Sequence, residues 1–285
     1  MPMLHPSGLP NQISSIDRTL VMGVINVTPD SFSDGGLFLD SKVAIAHAQQ
    51  MLLDGVDIID IGGESTRPGS ERISAQEEID RVLPVISEMA KTDAILSIDT
   101  MRAEVAEAAM SAGAHMINDV SGGKADPEML NYVSKLTVPF ILMHWRGPSN
   151  IMNTLTSYDD VVRDVTMEIS MQVEVAVAAG IARDRIAIDP GIGFAKTVEQ
   201  NWPILKHLDV LDELGLPILM GASRKKFLGE LLARDGEARV MAQRESATTA
   251  ISTLMALRNT WAVRVHDVKA TRDAIAVVER LAQTK

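Results

Sequence analysis

Short apolar runs alternate with longer amphipathic ones along nearly the whole chain, and the alternation predicts eight strand–helix units. Leu20 to Ile25 has strand length and is too short for a buried helix. Ser41 to Gly55 has helical spacing, with Ser41 as N-cap and Gly55 as stop. Asp57 to Gly62 reads as the second strand. Ser74 opens the next helix with Glu77 three residues on, a capping box. Ile79, Val82, Leu83 and Ile86 form its apolar face, and Pro84 is expected to bend it. Strands three to five are predicted at Ala94 to Ile98, Met116 to Val120 and Phe140 to Met143. Their helices run from Arg102 to Gly113, Pro127 to Leu136 and about Tyr158 to Gly180. Arg185 to Ile188, Ile218 to Met220 and Trp261 to Val265 complete the strands. The helices at Val198 to Leu214, Ser246 to Arg258 and Thr271 to Ala282 complete the alternation.

Eight near-continuously apolar strands in about 265 residues predict an α/β chain folded as a single (β/α)8 TIM barrel. The ligand site of such a barrel lies at the C-terminal ends of the strands. A doubly wound sheet would call for a nucleotide fingerprint, and no G-x-G-x-x-G or P-loop follows any strand. Residues 1–17, with three Pro, are expected to form a loose leader ahead of one catalytic domain over 18–285.

Composition narrows the classes. Aromatics are only 4%, so the core is built from aliphatic side chains and Met. A net charge of −11 without a basic stripe argues against a nucleic-acid partner. It leaves anionic substrates open, because a few local cations override a diffuse field. The absence of Cys excludes disulfides, thiolate metal sites and a Cys nucleophile. No apolar run approaches the ~20 residues of a membrane span, and the N-terminus lacks a basic-then-apolar signal. A cytoplasmic protein without a membrane partner is expected.

The first strand runs into Asn26-Val-Thr-Pro-Asp-Ser-Phe-Ser-Asp-Gly-Gly36, a loop dense in oxygen donors with Phe32 at its tip. An aromatic in so polar a loop needs something to cover. The other strands deliver Gly62-Gly-Glu-Ser-Thr-Arg-Pro68, Asp99-Thr100, Asn118-Asp119, His144, Asp189-Pro-Gly191 with Phe194, Ser223-Arg-Lys-Lys226, and Arg264, His266 and Asp267. A lone Asp after a strand is commonly a helix cap, and Asp99 and Asp119 both admit that reading. Polar groups on all eight strand ends are too many to be caps throughout. Asp99 and Asn118 directly follow apolar residues and should point into the barrel rim. Asp99, Asn118, Asp189 and Lys225 suit a flat heterocycle, since carboxylates accept paired hydrogen bonds from an amino-pyrimidinone edge. Arg67, Arg264, His266 and the Asn26 amide suit an anion such as phosphate. Asn26, Asp30 and Asp34 suit Mg²⁺, which takes few protein oxygens together with phosphates and water. The few His do not suggest zinc.

These motifs resemble those of the dihydropteroate synthases from about Leu20 to the end. They are the Asn26 loop, Gly62 to Gly69, Ile98-Asp-Thr100, Ile117-Asn-Asp-Val120, Leu142-Met-His144, Asp189-Pro-Gly-Ile-Gly-Phe194, Ser223-Arg-Lys225 and Arg264-Val-His-Asp-Val268. The resemblance implies condensation of 6-hydroxymethyl-7,8-dihydropterin diphosphate with 4-aminobenzoate, by an SN1-like path with Mg²⁺, in a homodimer. It implies pterin contacts at Asp99, Asn118, Met143, Asp189 and Lys225, and diphosphate contacts at Asn26, Arg264 and His266, with Asn26 also on the metal. It implies aminobenzoate contacts at Phe32, Thr66, Arg67, Pro68, Phe194 and Lys226, and catalytic parts for Asp34, Arg67, Asp99, Lys225 and Arg264. Lys226 stands where many members carry Ser, and Trp145 where a smaller residue is frequent. Two rival readings remain: a methyltetrahydrofolate-type methyltransferase, and a pterin-binding paralogue without synthase activity. A diphosphate site counts against the first, and intact loop residues against the second.

Overall fold

The computed structural model describes residues 3–28, 37–65 and 72–284, with the backbone alone for 37–40. Eight parallel strands form the central sheet: β1 Leu20–Asn26, β2 Ile58–Gly62, β3 Leu96–Asp99, β4 Met116–Asp119, β5 Phe140–Met143, β6 Ile186–Asp189, β7 Leu219–Met220 and β8 Ala262–Val265. The hydrogen-bonded order is β6-β5-β4-β3-β2-β1-β8-β7. The remaining gap is spanned by a parallel bridge between Ile188 and Ile218 and by the Ile188 N–H donating to Pro217 at 2.8 Å. The sheet therefore closes into the expected (β/α)8 barrel.

Side chains of a strand alternate between faces, and here the alternation sorts the core into two parts. Val21, Ile25, Ile59, Ile61, Ile98 and Ile188 pack outward against the helices. Leu20, Met22, Ile58, Met116, Ile141, Ala187 and Leu219 fill the amino-terminal part of the barrel interior. Residues 3–17 differ from the expected loose leader. They carry a helical turn at Asn11–Ser14 and bury Leu9 and Ile13 against that interior cluster. Ser7 adds a backbone bond to Asp184 at 2.7 Å. The segment covers the amino-terminal end of the barrel, opposite the strand ends that carry polar groups.

The helices match the alternation with local differences. Ser74 caps Ala75–Met89 by accepting from the Glu77 N–H at 3.1 Å, and that helix runs on through Pro84. The first long helix spans Leu37–Leu53, so Ser41 lies inside it and is not its cap. The segment expected to be one helix from Val198 is two, Asn201–Lys206 and Leu208–Asp212, broken where His207 leaves helical geometry. A six-residue helix at Lys226–Leu231, unanticipated by periodicity, directly follows the β7 loop.

Candidate active site

Continuing each strand's inward alternation toward its carboxyl end replaces aliphatic side chains by polar ones. Asp99, Asn118, Met143, Asp189 and Arg264 line a single cavity of about 860 Å³ with Asn26, Phe194, Lys225 and His266. The strand ends thus bring the expected pterin set together as the floor of one cavity.

The floor is built around one guanidinium. Arg264 donates from Nε to Asp60 Oδ2 at 2.6 Å and from a terminal nitrogen to Asp99 Oδ2 at 2.6 Å. Asn118 Nδ2 donates to the same Asp60 oxygen at 3.0 Å, and Asp60 is fully buried. Asp60 Oδ1 has no hydrogen-bond partner among the described residues. Burial pushes the Asp99 carboxyl up to about 7; Arg264 pulls it down, and Asp60 pushes it further up. The Arg264 guanidinium is pushed above its ordinary range, the two carboxylates outweighing the effect of burial. Three carboxylates (Asp60, Asp99, Asp189) and two cations (Arg264, Lys225) leave one formal negative charge on this floor. A proton on Asp99 near neutral pH cancels it.

Asp189 and Lys225 face each other across the next part of the cavity. Asp189 Oδ1 accepts the Gly191 N–H at 2.7 Å, and burial raises its carboxyl, with Lys225 opposing. Burial lowers the Lys225 ammonium to about 8, Asp189 opposing. Lys225 donates to the Ile192 carbonyl, and its nitrogen stands 4.4 Å from the Phe194 ring centre. Glycine is required beside it: a Cβ on Gly193 (φ +78°) would sit 2.9 Å from the Lys225 side chain.

At the rim, Ser223 Oγ and His266 Nδ1 are 2.9 Å apart, and the His266 backbone N–H donates to the same hydroxyl at 3.2 Å. The Asn26 amide reaches the cavity from β1. Lys226 points largely to solvent, 3.8 Å from Glu230. Phe32, Asp30, Asp34, Thr66, Arg67 and Pro68 lie outside the described residues. Two residues gain a definite setting. Arg264, grouped with the anion-binding residues, is embedded in the carboxylate floor, because β8 alternation turns it inward between β2 and β3. Asp119 is a turn cap: it faces away from the cavity and accepts from Ser121 and from the Gly123 N–H at 2.7 Å.

Three functional-looking residues escaped the sequence reading. Asp60 sits inside an apolar strand, two positions before Gly62, and strand parity alone would have placed it on the floor. Lys196 and Glu168 flank His144. His144 Nε2 meets Glu168 Oε2 at 2.9 Å and Nδ1 meets Lys196 Nζ at 3.0 Å, contacts across 24 and 52 residues that no local pattern signals. Burial, with Lys196 next, lowers the His144 ring to about 4. The ring is therefore neutral at pH 7, with its proton on Nε2 toward the carboxylate.

The model of the family "Pterin binding enzyme" matches residues 22–266. A Mycobacterium leprae protein named dihydropteroate synthase is 50% identical over 266 residues, 93% of this chain and 94% of that one. A Xanthomonas albilineans dihydropteroate synthase solved with 4-aminobenzoic acid superposes with a TM-score of 0.87 at 44% identity, over 94% of this chain and 95% of that one. A structure of that organism's enzyme in complex with 7,8-dihydropteroate gives 0.86 at 40% identity, over 99% and 100%.

Proposed function

The chain belongs to the dihydropteroate synthases within the pterin-binding enzyme family, and from that premise we propose how its cavity carries the reaction. The substrates are 6-hydroxymethyl-7,8-dihydropterin diphosphate and 4-aminobenzoate, and the products are 7,8-dihydropteroate and pyrophosphate. The observation that carries the reading is the floor itself. Asn118 gives its Nδ2 to Asp60, which leaves Oδ1 to accept from a ligand N–H. Asp189 offers its second carboxylate oxygen beside it, and Lys225 offers donors to a ring carbonyl. An amino-pyrimidinone edge presents the complementary set, so each buried polar group gains a partner and its desolvation is offset.

Bond cleavage comes first. The C–O bond between the pterin methylene and the diphosphate breaks, and its electron pair leaves with pyrophosphate. The cation left on the methylene delocalises into the dihydropterin ring, which lies against the carboxylates of Asp60 and Asp189. The aminobenzoate nitrogen then forms the C–N bond and loses a proton to water. Its neutral amine needs positioning more than deprotonation, and Phe194 in the wall supplies a face for the ring. Phe32, Thr66, Arg67, Pro68 and Lys226 belong to this half of the site in the same reading. Asn26 and His266 reach the rim where a diphosphate attached to a floor-bound pterin would lie.

Mg²⁺ fits the residues present. The Asn26 side chain makes no hydrogen bond among the described residues and supplies one hard oxygen, as suits an ion that keeps water and phosphate ligands. When bound, the ion neutralises charge on the departing pyrophosphate. We read the protein as a homodimer on the strength of exposed apolar side chains on the two C-terminal helices, Leu254, Leu257, Val277 and Leu281. The test of the reaction is product analysis after mixing protein, both substrates and Mg²⁺. One pyrophosphate per dihydropteroate is expected, and pyrophosphate without dihydropteroate would defeat the reading.

A further inference from the structure

The loop after β6 has an unusual backbone. Gly191 (φ +66°), Gly193 (φ +78°) and Ala195 (φ +48°) all lie in the left-handed region, and Ala195 does so with a Cβ. Such a path holds only when its surroundings fix it. Here side chains bind the loop's carbonyls in succession. Lys196 Nζ donates to the Gly191 carbonyl at 2.9 Å and to the Phe194 carbonyl at 3.0 Å. Lys225 takes the Ile192 carbonyl, and the Tyr158 hydroxyl donates to the Ala195 carbonyl at 2.9 Å.

Lys196 is the unexpected member. It is buried, 8% exposed, and has no carboxylate in hydrogen-bond contact among the described residues. Its third partner is His144 Nδ1 at 3.0 Å, so in the charged form three donors meet three acceptors, while burial, with Lys225 next, lowers the group to about 7. His144 is held in turn by Glu168, which Arg146 grips with two nitrogens while its guanidinium lies 3.6 Å from the Tyr158 ring centre. The chain of contacts thus leaves the loop at Gly191 and returns to it at Ala195. A buried cation is costly, and an aliphatic side chain would fill the same space without that cost. What its terminal nitrogen can do, and an aliphatic side chain cannot, is draw two carbonyls three residues apart onto one point.

We propose that Lys196 is a positioning residue for the aminobenzoate half of the reaction, its ammonium curling the 191–195 segment so that Phe194 stands in the cavity wall. The proposal rests on the reading of Phe194 as part of the aminobenzoate site. Lys196 touches no reacting atom in it. It acts through Phe194, so its removal raises the KM for aminobenzoate and leaves kcat and the affinity for the pterin diphosphate near their wild-type values.

The experiment is a double-mutant cycle read in steady-state kinetics with both natural substrates. Lys196→Met is expected to raise the aminobenzoate KM roughly tenfold, with kcat changed less than about twofold, and to have little further effect in a Phe194→Ala background. Tyr158→Phe removes only the hydroxyl on the other side of the loop and is expected to act in the same direction, more weakly. If Lys196→Met does not fold, Lys196→Gln, too short to hold both carbonyls, carries the test with a smaller rise expected. A rise in KM for Phe194→Ala with none for Lys196→Met, or for Lys196→Gln in its place, removes Lys196 alone. No rise for Phe194→Ala removes Phe194 from the site and the proposal with it. Equal losses for both substrates, or an undiminished Lys196→Met effect without the Phe194 ring, would mean a general structural role and overturn the proposal.

Discussion

Asp189→Asn separates recognition from folding because the structure fixes how the new amide must sit. Gly191 N–H donates to Oδ1 at 2.7 Å, so the amide oxygen of an asparagine keeps that place and the NH₂ takes the place of Oδ2. That second position faces the cavity side of Gly221, where an added Cβ would lie 3.2 Å from it. The variant therefore preserves its internal bond and volume while turning a donor toward the ligand's donors. A charge-assisted contact is lost and a donor–donor opposition replaces it, together costing roughly 2–4 kcal/mol of pterin affinity. At about 1.4 kcal/mol per tenfold, Kd rises about 30- to 700-fold. Calorimetric titration with 6-hydroxymethylpterin reads this directly, and urea unfolding serves as control. Because burial raises the Asp189 carboxyl, the neutral amide is not expected to lower stability at pH 7.5. Unchanged pterin affinity in a folded Asp189→Asn protein would refute the placement of the ring on this floor.

Asp60→Ala leaves Arg264 with one carboxylate and Asn118 Nδ2 unpaired, and is expected to cost about 3–5 kcal/mol in urea unfolding. Asp60→Asn keeps an acceptor in place and should cost markedly less; equal losses would argue against the pairing. Asp99 titrates near 7 in the folded protein and near 4 in an unfolded chain, so the native state holds the extra proton between those values. Its contribution to stability therefore falls as pH rises from about 4 to about 7, and Asp99→Asn should flatten that segment of the stability curve. Parallel curves for the two proteins would contradict the raised carboxyl. Lys226 lies mostly in solvent, so the aminobenzoate KM of wild type and Lys226→Ser should rise in parallel with salt; a steeper rise in the wild type would show a side-chain contact.

The eight-fold alternation and most strand ends were legible because a buried parallel strand must be apolar throughout and must stop where polar residues begin. Asp99, Asn118 and Asp189 could be placed by that rule alone. Asp60 needed strand parity as well, which turns it inward, and its partner Arg264 arrives only from β8, 204 residues later. The same long pairing was hidden on the side of Arg264: sequence shows its charge but not the two carboxylates that fix the guanidinium. The docking of Leu9 and Ile13 was hidden by a Pro-rich composition that suggests looseness. Burial against the barrel interior outweighs it, at about 1.5–3 kcal/mol per fully buried aliphatic side chain. Lys196 was invisible for a different reason, because a lysine two residues after a strand-end loop is ordinarily solvated.

The central claim is that the inward side chains of β3, β4 and β6, with Lys225, hold the pterin ring on a floor organised by Arg264. A crystal structure with 6-hydroxymethylpterin bound tests it most directly. The amino-pyrimidinone edge is expected within hydrogen-bonding distance of Asp189 and Asn118, with Lys225 Nζ turned from the Ile192 carbonyl to the ring carbonyl and Arg264 still bridging Asp60 and Asp99. A pterin seated at the rim on Ser223 and His266, with Lys225 still bound to Ile192, would contradict it.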